Sequence, residues 1–194
     1  MLFAALRKEL CEVDDDGAFI AADDDADIET AIKQAVEADV IITTGGVSVG
    51  DHDRVRAVLE KMGARIHFHG VAQKPGKPML FATLNGKPVF GLPGNPRAVM
   101  VLFWEYVLPF LRAMQGAADP WPRTEQVPLA QAVTVKGDRA EFRAARIEGG
   151  KVRLLADEGS HMLRSLIDAD ALAYLPSDKR SWNEGEPMEV HYLP

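Results

Sequence analysis

With 194 residues, 47% hydrophobic and 26% charged, the chain has the composition of a soluble globular protein with one large domain or two small ones. Its formal charge of −7 argues against nucleic acid or an anionic membrane surface as a partner, so an anionic small molecule would need local donors. Cys11 is the only cysteine, which excludes a disulfide framework and a cysteine-built zinc site and fits a reducing cytoplasm.

Leu2, Leu6 and Leu10 recur at helical spacing, so the chain opens on a helix, with charges too early for a signal peptide. "DDDADIETAIKQAVEA" predicts a second helix: its acidic start suits the positive end of the dipole, and Ile28, Ile32 and Val36 mark one apolar face. "DVIITT" reads as a buried strand rich in β-branched residues. Residues 53–62 read as a helix with Val55, Val58, Leu59 and Met62 inward. "ARIHFHGVA", "MLFATL" and "PVFGL" read as strands, the last two joined by the turn "NGK". "PGNPRAVMVLFW" opens a long helix with Asn95 as N-cap and Pro96 at its first position. The apolar run on that helix, "AVMVLFWEYVLPFL", is interrupted by Glu105 and Pro109 and is shorter than the ~20 residues of a membrane span, so a buried helix is expected.

The alternation predicts an α/β domain over residues 1–115, with a mostly parallel sheet and flanking helices. Residues 116–126, "GAADPWPRTEQ", have the composition of a linker. Residues 127–194 carry short alternating segments ("QAVTV", "AEFRAARI", "KVRLLA", "ALAYLP", "MEVHYL") and predict a small all-β domain, barrel or sandwich. A doubly wound sheet ordinarily begins on a strand, so the first strand of this one is expected to be lacking.

Three turns carry chemistry. In "TTGGVSVGDHDRV", residues 43–55, the glycines fit neither a dinucleotide fingerprint nor a Walker loop, since Val47 holds one position and Asp51 and His52 follow Gly50. Small residues before a helix still favour an anion. Asp51 and Asp53 at the rim would repel a bare phosphate, and Mg²⁺ between them would remove the conflict. A plain strand-to-helix turn with either aspartate as N-cap is the alternative. "QKPGKPM" holds Lys74 and Lys77 on a proline-stiffened turn, as phosphate contacts or as solvated lysines. "GLPGNP", residues 91–96, is a third such turn, at the strand edge where open α/β sheets bind ligands. His67 and His69, two apart on a strand, could share a metal, although no third ligand is apparent. "EGSHMLRSL" offers Ser160, His161 and Ser165, but without the strand–Gly-x-Ser-x-Gly–helix setting of a hydrolase.

Taken together, "ADVIITTGGVSVGDHD", "KPGKP" and "GLPGNP", with "MQG" and "EGSHMLRSL" after them, resemble the molybdopterin molybdenumtransferase family, MoeA in bacteria and the gephyrin E domain in animals. The resemblance covers nearly the whole chain but only about the C-terminal half of a family member. It implies a molybdopterin-binding α/β domain and a C-terminal β domain. It also implies a reaction in which adenylylated molybdopterin is cleaved with Mg²⁺ and molybdate is inserted into the dithiolene with release of AMP. It further implies catalytic roles for Asp53, Asp23 and Lys74, with the two aspartates on the metal. Gly45, Gly46, Ser48, Gly50, Lys74, Lys77, Pro93, Gly94, Asn95 and Ser160 would bind the ligand.

The chain departs from the family at Gly70 and Ala144, where basic residues are usual, and at Arg97, where small or apolar ones are. Arg143 or Arg146 would replace the missing arginine only with a local shift. The two N-terminal domains of the family are expected to be absent, which puts turnover by these residues alone in doubt. The implied setting is a cytoplasmic homodimer, with a molybdopterin adenylyltransferase as a possible partner and neither nucleic acid nor membrane. A molybdopterin adenylyltransferase-like enzyme and a non-catalytic binding or scaffold module are the other readings.

Overall fold

The computed structural model describes residues 1–13, 20–47, 53–155 and 162–194. Ser48, Gly50, Asp51, His52, Ser160 and His161 lie outside the described residues. By packing, the chain divides into two compact units, residues 1–71 with 76–102 and residues 72–75 with 103–194.

The first unit is α/β. Its elements are α1 (Leu2–Lys8), α2 (Asp25–Gln34), β1 (Ile41–Thr44), α3 (Arg54–Lys61), β2 (Arg65–His69), β4 (Leu80–Leu84), β5 (Lys87–Leu92) and α4 (Pro96–Leu102), with β3 (Gln73–Lys74) falling to the second unit. The four strands run in the order β1-β5-β4-β2. Only β1 and β5 are parallel; β5–β4 and β4–β2 are antiparallel, so the expectation of a mostly parallel sheet is corrected. The reason is the turn at Asn85 and Gly86, both at positive φ, because a two-residue turn can join only antiparallel strands.

The aspartates before the helices act as caps. Asp24 accepts from the backbone N–H groups of Ala26 and Asp27, and Asp53 from that of Arg56 at 3.0 Å. Arg54 pairs with Asp25 at 2.9 Å, and Glu29 takes both Lys33 and Lys61, so α2 and α3 are tied along their exposed edges. Hydrogen bonds from Lys33 and then Lys61 hold the Glu29 carboxyl at about 2. Below that edge Ile28, Ile32, Val55, Val58 and Leu59 are buried against Ile41, Leu80, Ala82, Leu84 and Val89. Burying side chains of this size contributes about 1.5–3 kcal/mol each, and that burial holds α2 and α3 on the sheet.

The second unit opens with a π-helical turn, Phe103–Val107, and α5 (Leu108–Met114). Its strands are β3, β6 (Thr124–Pro128), β7 (Val133–Thr134), β8 (Ala140–Glu148), β9 (Lys151–Leu154), β10 (Ala171–Leu175), β11 (Ser181–Trp182) and β12 (Pro187–Tyr192). The main sheet runs β3-β8-β10-β12-β6, with β9 on β8. A bridge from Leu129 to Val152 brings the end of β6 to β9, which curls the sheet toward a barrel around Leu129, Ala145, Val152, Ala173, Leu175, Met188 and Val190. A short helix, α6 (Met162–Ile167), interrupts the strands where no helix was expected. Thr124, Glu125 and Gln126, read from composition as linker, are paired with β12; their polar side chains suit an edge strand exposed to water.

Candidate functional site

In the first unit the backbone gathers two glycine turns at one end of the parallel pair. Gly45 and Gly46 follow β1 at φ +84° and +66°, a region an L side chain rarely adopts. The Gly45 N–H donates to the Leu92 carbonyl at 2.9 Å, which ties this turn to the end of β5. A Cβ on Gly46 would stand 2.8 Å from Cγ2 of Val55, and one on Gly94 would stand 3.7 Å from Cα of Gly45. The turns at 45–46 and 93–95 are therefore in contact. Asn95 caps α4, its Oδ1 accepting from the N–H groups of Arg97 at 3.0 Å and Ala98 at 3.4 Å. Gly45, Gly46, Pro93, Gly94 and Asn95 thus come together at the carboxyl ends of β1 and β5, the edge at which open α/β sheets take ligands. Thr43, one turn of strand earlier, has a buried hydroxyl with no hydrogen-bond partner among the described residues. No sequence pattern marks it.

Asp53 is placed differently from its expected role. Its Oδ1 caps α3, and its Oδ2 lies 2.7 Å from Nε2 of His69, with the side chains only 7% and 14% exposed. Arg56 can only donate, and its Nη1 stands 3.3 Å from Nδ1 of His69, so that nitrogen is the acceptor, while Nε2 of His69 and Oδ2 of Asp53 are close without hydrogen-bond geometry. One carboxylate oxygen caps α3, and the other faces His69 with no hydrogen-bond partner among the described residues. Asp23 is exposed, directly before the cap Asp24, and the described residues hold no cluster of three acidic, histidine or cysteine side chains suited to a metal. Asp23 and Asp53 are therefore joined by no third such side chain among the described residues. His67 and His69 do not share a metal. The register of β2 shifts between Ile66 and Phe68, which breaks the two-residue alternation. His67 instead bonds Thr83 at 2.7 Å and stacks on Phe81.

The turn after β2 is closed by its own backbone. Gly70 N–H donates to Met79 C=O at 2.7 Å and Val71 N–H to Lys77 C=O at 2.8 Å. Gly70 sits at φ +101°, a conformation costly for any basic side chain there, and its neighbour His69 turns to Asp53 instead. Lys77 is exposed and makes no ion pair among the described residues.

Lys74 belongs to the second unit. It is paired in register with Glu141 across the parallel β3–β8 ladder, and its Nζ lies 3.7 Å from Oε1 of that buried carboxylate. Ala144 is 1% exposed, so nothing basic replaces it in place. Arg146 donates to the Asp168 carbonyl, whereas Arg143 donates from Nε and Nη2 to Glu141 at 2.9 and 2.7 Å. Among the described residues no helix is long and apolar enough to cross a membrane.

Comparison with known proteins adds two family matches. The model described as a probable molybdopterin binding domain matches residues 1–113, and that of the MoeA C-terminal region (domain IV) matches residues 126–193. A molybdopterin molybdenumtransferase of Nostoc sp. is 37% identical over 175 residues, 86% of this chain and 40% of the relative. One from Haemophilus influenzae is 32% identical, over 95% of this chain and 47% of the relative. The chain therefore spans less than half the length of these two relatives. Among solved structures, a molybdopterin biosynthesis MoeA protein from a Pyrococcus species superposes with a TM-score of 0.75 at 31% identity, over 89% of this chain and 42% of that one. A molybdenum cofactor biosynthesis protein from Pyrococcus furiosus gives 0.77 at 25% identity, over 100% and 63%.

Proposed function

Because the chain belongs to the family of probable molybdopterin-binding domains, we propose that it binds molybdopterin, in its adenylylated form, at the glycine turns after β1 and β5. It would thereby serve the insertion of molybdate with release of AMP, a transfer proposed for an assembly of family length. The observation that carries this reading is the contact between the glycine turns at 45–46 and 93–95 at the carboxyl ends of a parallel strand pair, where backbone N–H groups other than that of Gly45 would be the donors. In an acidic chain such backbone donors, with an exposed lysine at 77, can hold a phosphate without help from the net charge. The same reading proposes a cytoplasmic setting, consistent with a lone cysteine, and a homodimer that exchanges ligand with a molybdopterin adenylyltransferase.

The test is titration of the protein with molybdopterin, followed by pterin fluorescence. Gly94→Val would push two methyl groups toward Gly45 and should weaken binding at least about tenfold, the loss expected when charged hydrogen bonds to an anion are blocked. Lys77→Ala should weaken it less. Equal affinity of the valine variant and the parent would remove the glycine turns from the site.

A further inference from the structure

We propose that His69 is a positioning residue for the ligand site at the glycine turns: it holds the carboxylate of Asp53 aside, on the β2 flank, and so keeps the site open to an anion. The inference rests on the proposed function for the place of that site, but the contacts that carry it do not involve the ligand. Asp53 leads into α3 beside the glycine turn, since the N–H of Val55 donates to the Gly46 carbonyl at 3.4 Å. A carboxylate turned toward a bound phosphate there would repel it. It is drawn the other way. Strand β2 is antiparallel to β4 and β4 to β5, so β2 runs with β5 and ends at His69, on the sheet edge that carries the turns. Two strand spacings separate β2 from β5, about 10 Å, the distance over which ordinary salt screens exposed charges.

Three residues close a circuit around that carboxylate. Asp53 Oδ1 accepts from the Arg56 N–H at 3.0 Å, Arg56 Nη1 stands 3.3 Å from Nδ1 of His69, and His69 Nε2 stands 2.7 Å from Asp53 Oδ2. Because a guanidinium only donates, Nδ1 accepts and the ring hydrogen sits on Nε2, at the end of the ring that meets the carboxylate. Both Nε2 and Oδ2 are buried with no hydrogen-bond partner among the described residues, so the contact is electrostatic. Each member is fixed from behind. Glu60 takes Arg56 Nε at 3.0 Å, His69 is paired in register with Leu80 on β4, and the next residue, Gly70, donates its N–H to the Met79 carbonyl. With His69 removed, nothing in this circuit holds Oδ2, and the carboxylate is free to turn to the rim of the glycine turn, where its charge meets an incoming phosphate.

The experiment is a double-mutant cycle on the full chain, comparing the parent, His69→Leu, Asp53→Asn and the two together, read as affinity for inorganic pyrophosphate by calorimetry and, separately, for molybdopterin by fluorescence. Asparagine keeps the cap on α3 and removes the charge. His69→Leu should weaken binding about fivefold, the factor that two like charges ~4 Å apart carry in water, and by less than about twofold in the Asp53→Asn background. Asp53→Asn alone should change affinity by less than about twofold, because the carboxylate is already held aside. Equal losses at 69 in both backgrounds, or none, overturn the positioning role. A gain of about fivefold in Asp53→Asn alone also overturns it, since the carboxylate would then face the ligand in the parent. If His69→Leu does not fold, that single measurement on Asp53→Asn decides. Binding of molybdopterin by the parent with no response at 69 refutes this inference and leaves the proposed function standing. Coupling between 69 and 53 on pyrophosphate, in a parent that ignores molybdopterin, does the reverse. A parent that binds neither overturns both.

Discussion

Glu105→Gln would disrupt a buried charge relay in the second unit whose sign with pH can be worked out. His191 lies between two carboxylates, its Nδ1 2.8 Å from Glu105 and its Nε2 3.1 Å from Glu189. Its ring also packs on Phe142 and Tyr174. Carboxylates can only accept, so both nitrogens donate and the ring is an imidazolium. Burial by itself lowers the His191 pKa, but the hydrogen bonds to Glu105 and Glu189 outweigh it and the net shift is upward from 6.5. A raised value means the pair stabilises the fold fully below pH 6.5 and loses that contribution as pH rises through the folded value. The Glu105 side chain is 7% exposed, so its bond falls in the charged, buried class of about 1.5–3 kcal/mol. Glu189 is 41% exposed and contributes about 0–1 kcal/mol. Glu105→Gln should therefore cost about 1.5–3 kcal/mol near pH 6, and roughly 3–10 °C in Tm for a chain of this size. Urea unfolding by circular dichroism at pH 6, 7, 8 and 9 should show the parent declining toward alkaline pH and the variant much flatter. Parallel pH profiles for the two proteins, or a parent that gains stability above pH 6.5, would refute the reasoning.

Gly46→Ala should lower stability by about 1–2 kcal/mol in urea, from the positive φ alone, and more if Val55 cannot yield to a Cβ at 2.8 Å; a midpoint within error of the parent would mean the turn relaxes freely. His69→Leu leaves Asp53 buried without its partner and should cost about 1–3 kcal/mol, whereas His69→Asn should recover part of it; an unchanged midpoint in the leucine variant would place the Asp53 contact outside the energetics. Replacing NaCl by MgCl₂ at matched ionic strength should leave Tm unchanged, and a saturable rise would show that the carboxylates take the ion. Limited proteolysis should cut first near Trp121, which is 66% exposed between α5 and β6; early cuts within α2 or α3 would contradict that order.

Local rules were enough for most elements. Periodicity marks α2 and α3, Asn-Gly marks the β4–β5 hairpin, and Asn95-Pro96 marks the start of α4, because each depends on residues within one turn of chain. The three turns, read together, also carried the family. Pairing direction was not legible: a mostly parallel sheet was expected from the alternation of elements, and only the register shows that β1–β5 is the single parallel pair in it. The roles of charged residues were the least legible. Asp53 reads as a metal ligand beside a glycine turn, and only the fold brings His69, sixteen residues on, within 2.7 Å of its Oδ2. Arg143 and Ala144 look one place out of step until strand β8 puts Arg143 on Glu141 and buries Ala144. A helix cap or a tight turn is decided by neighbours in the chain. Which oxygen of a carboxylate stays free is decided by whatever packs against it, and that partner comes from distant sequence.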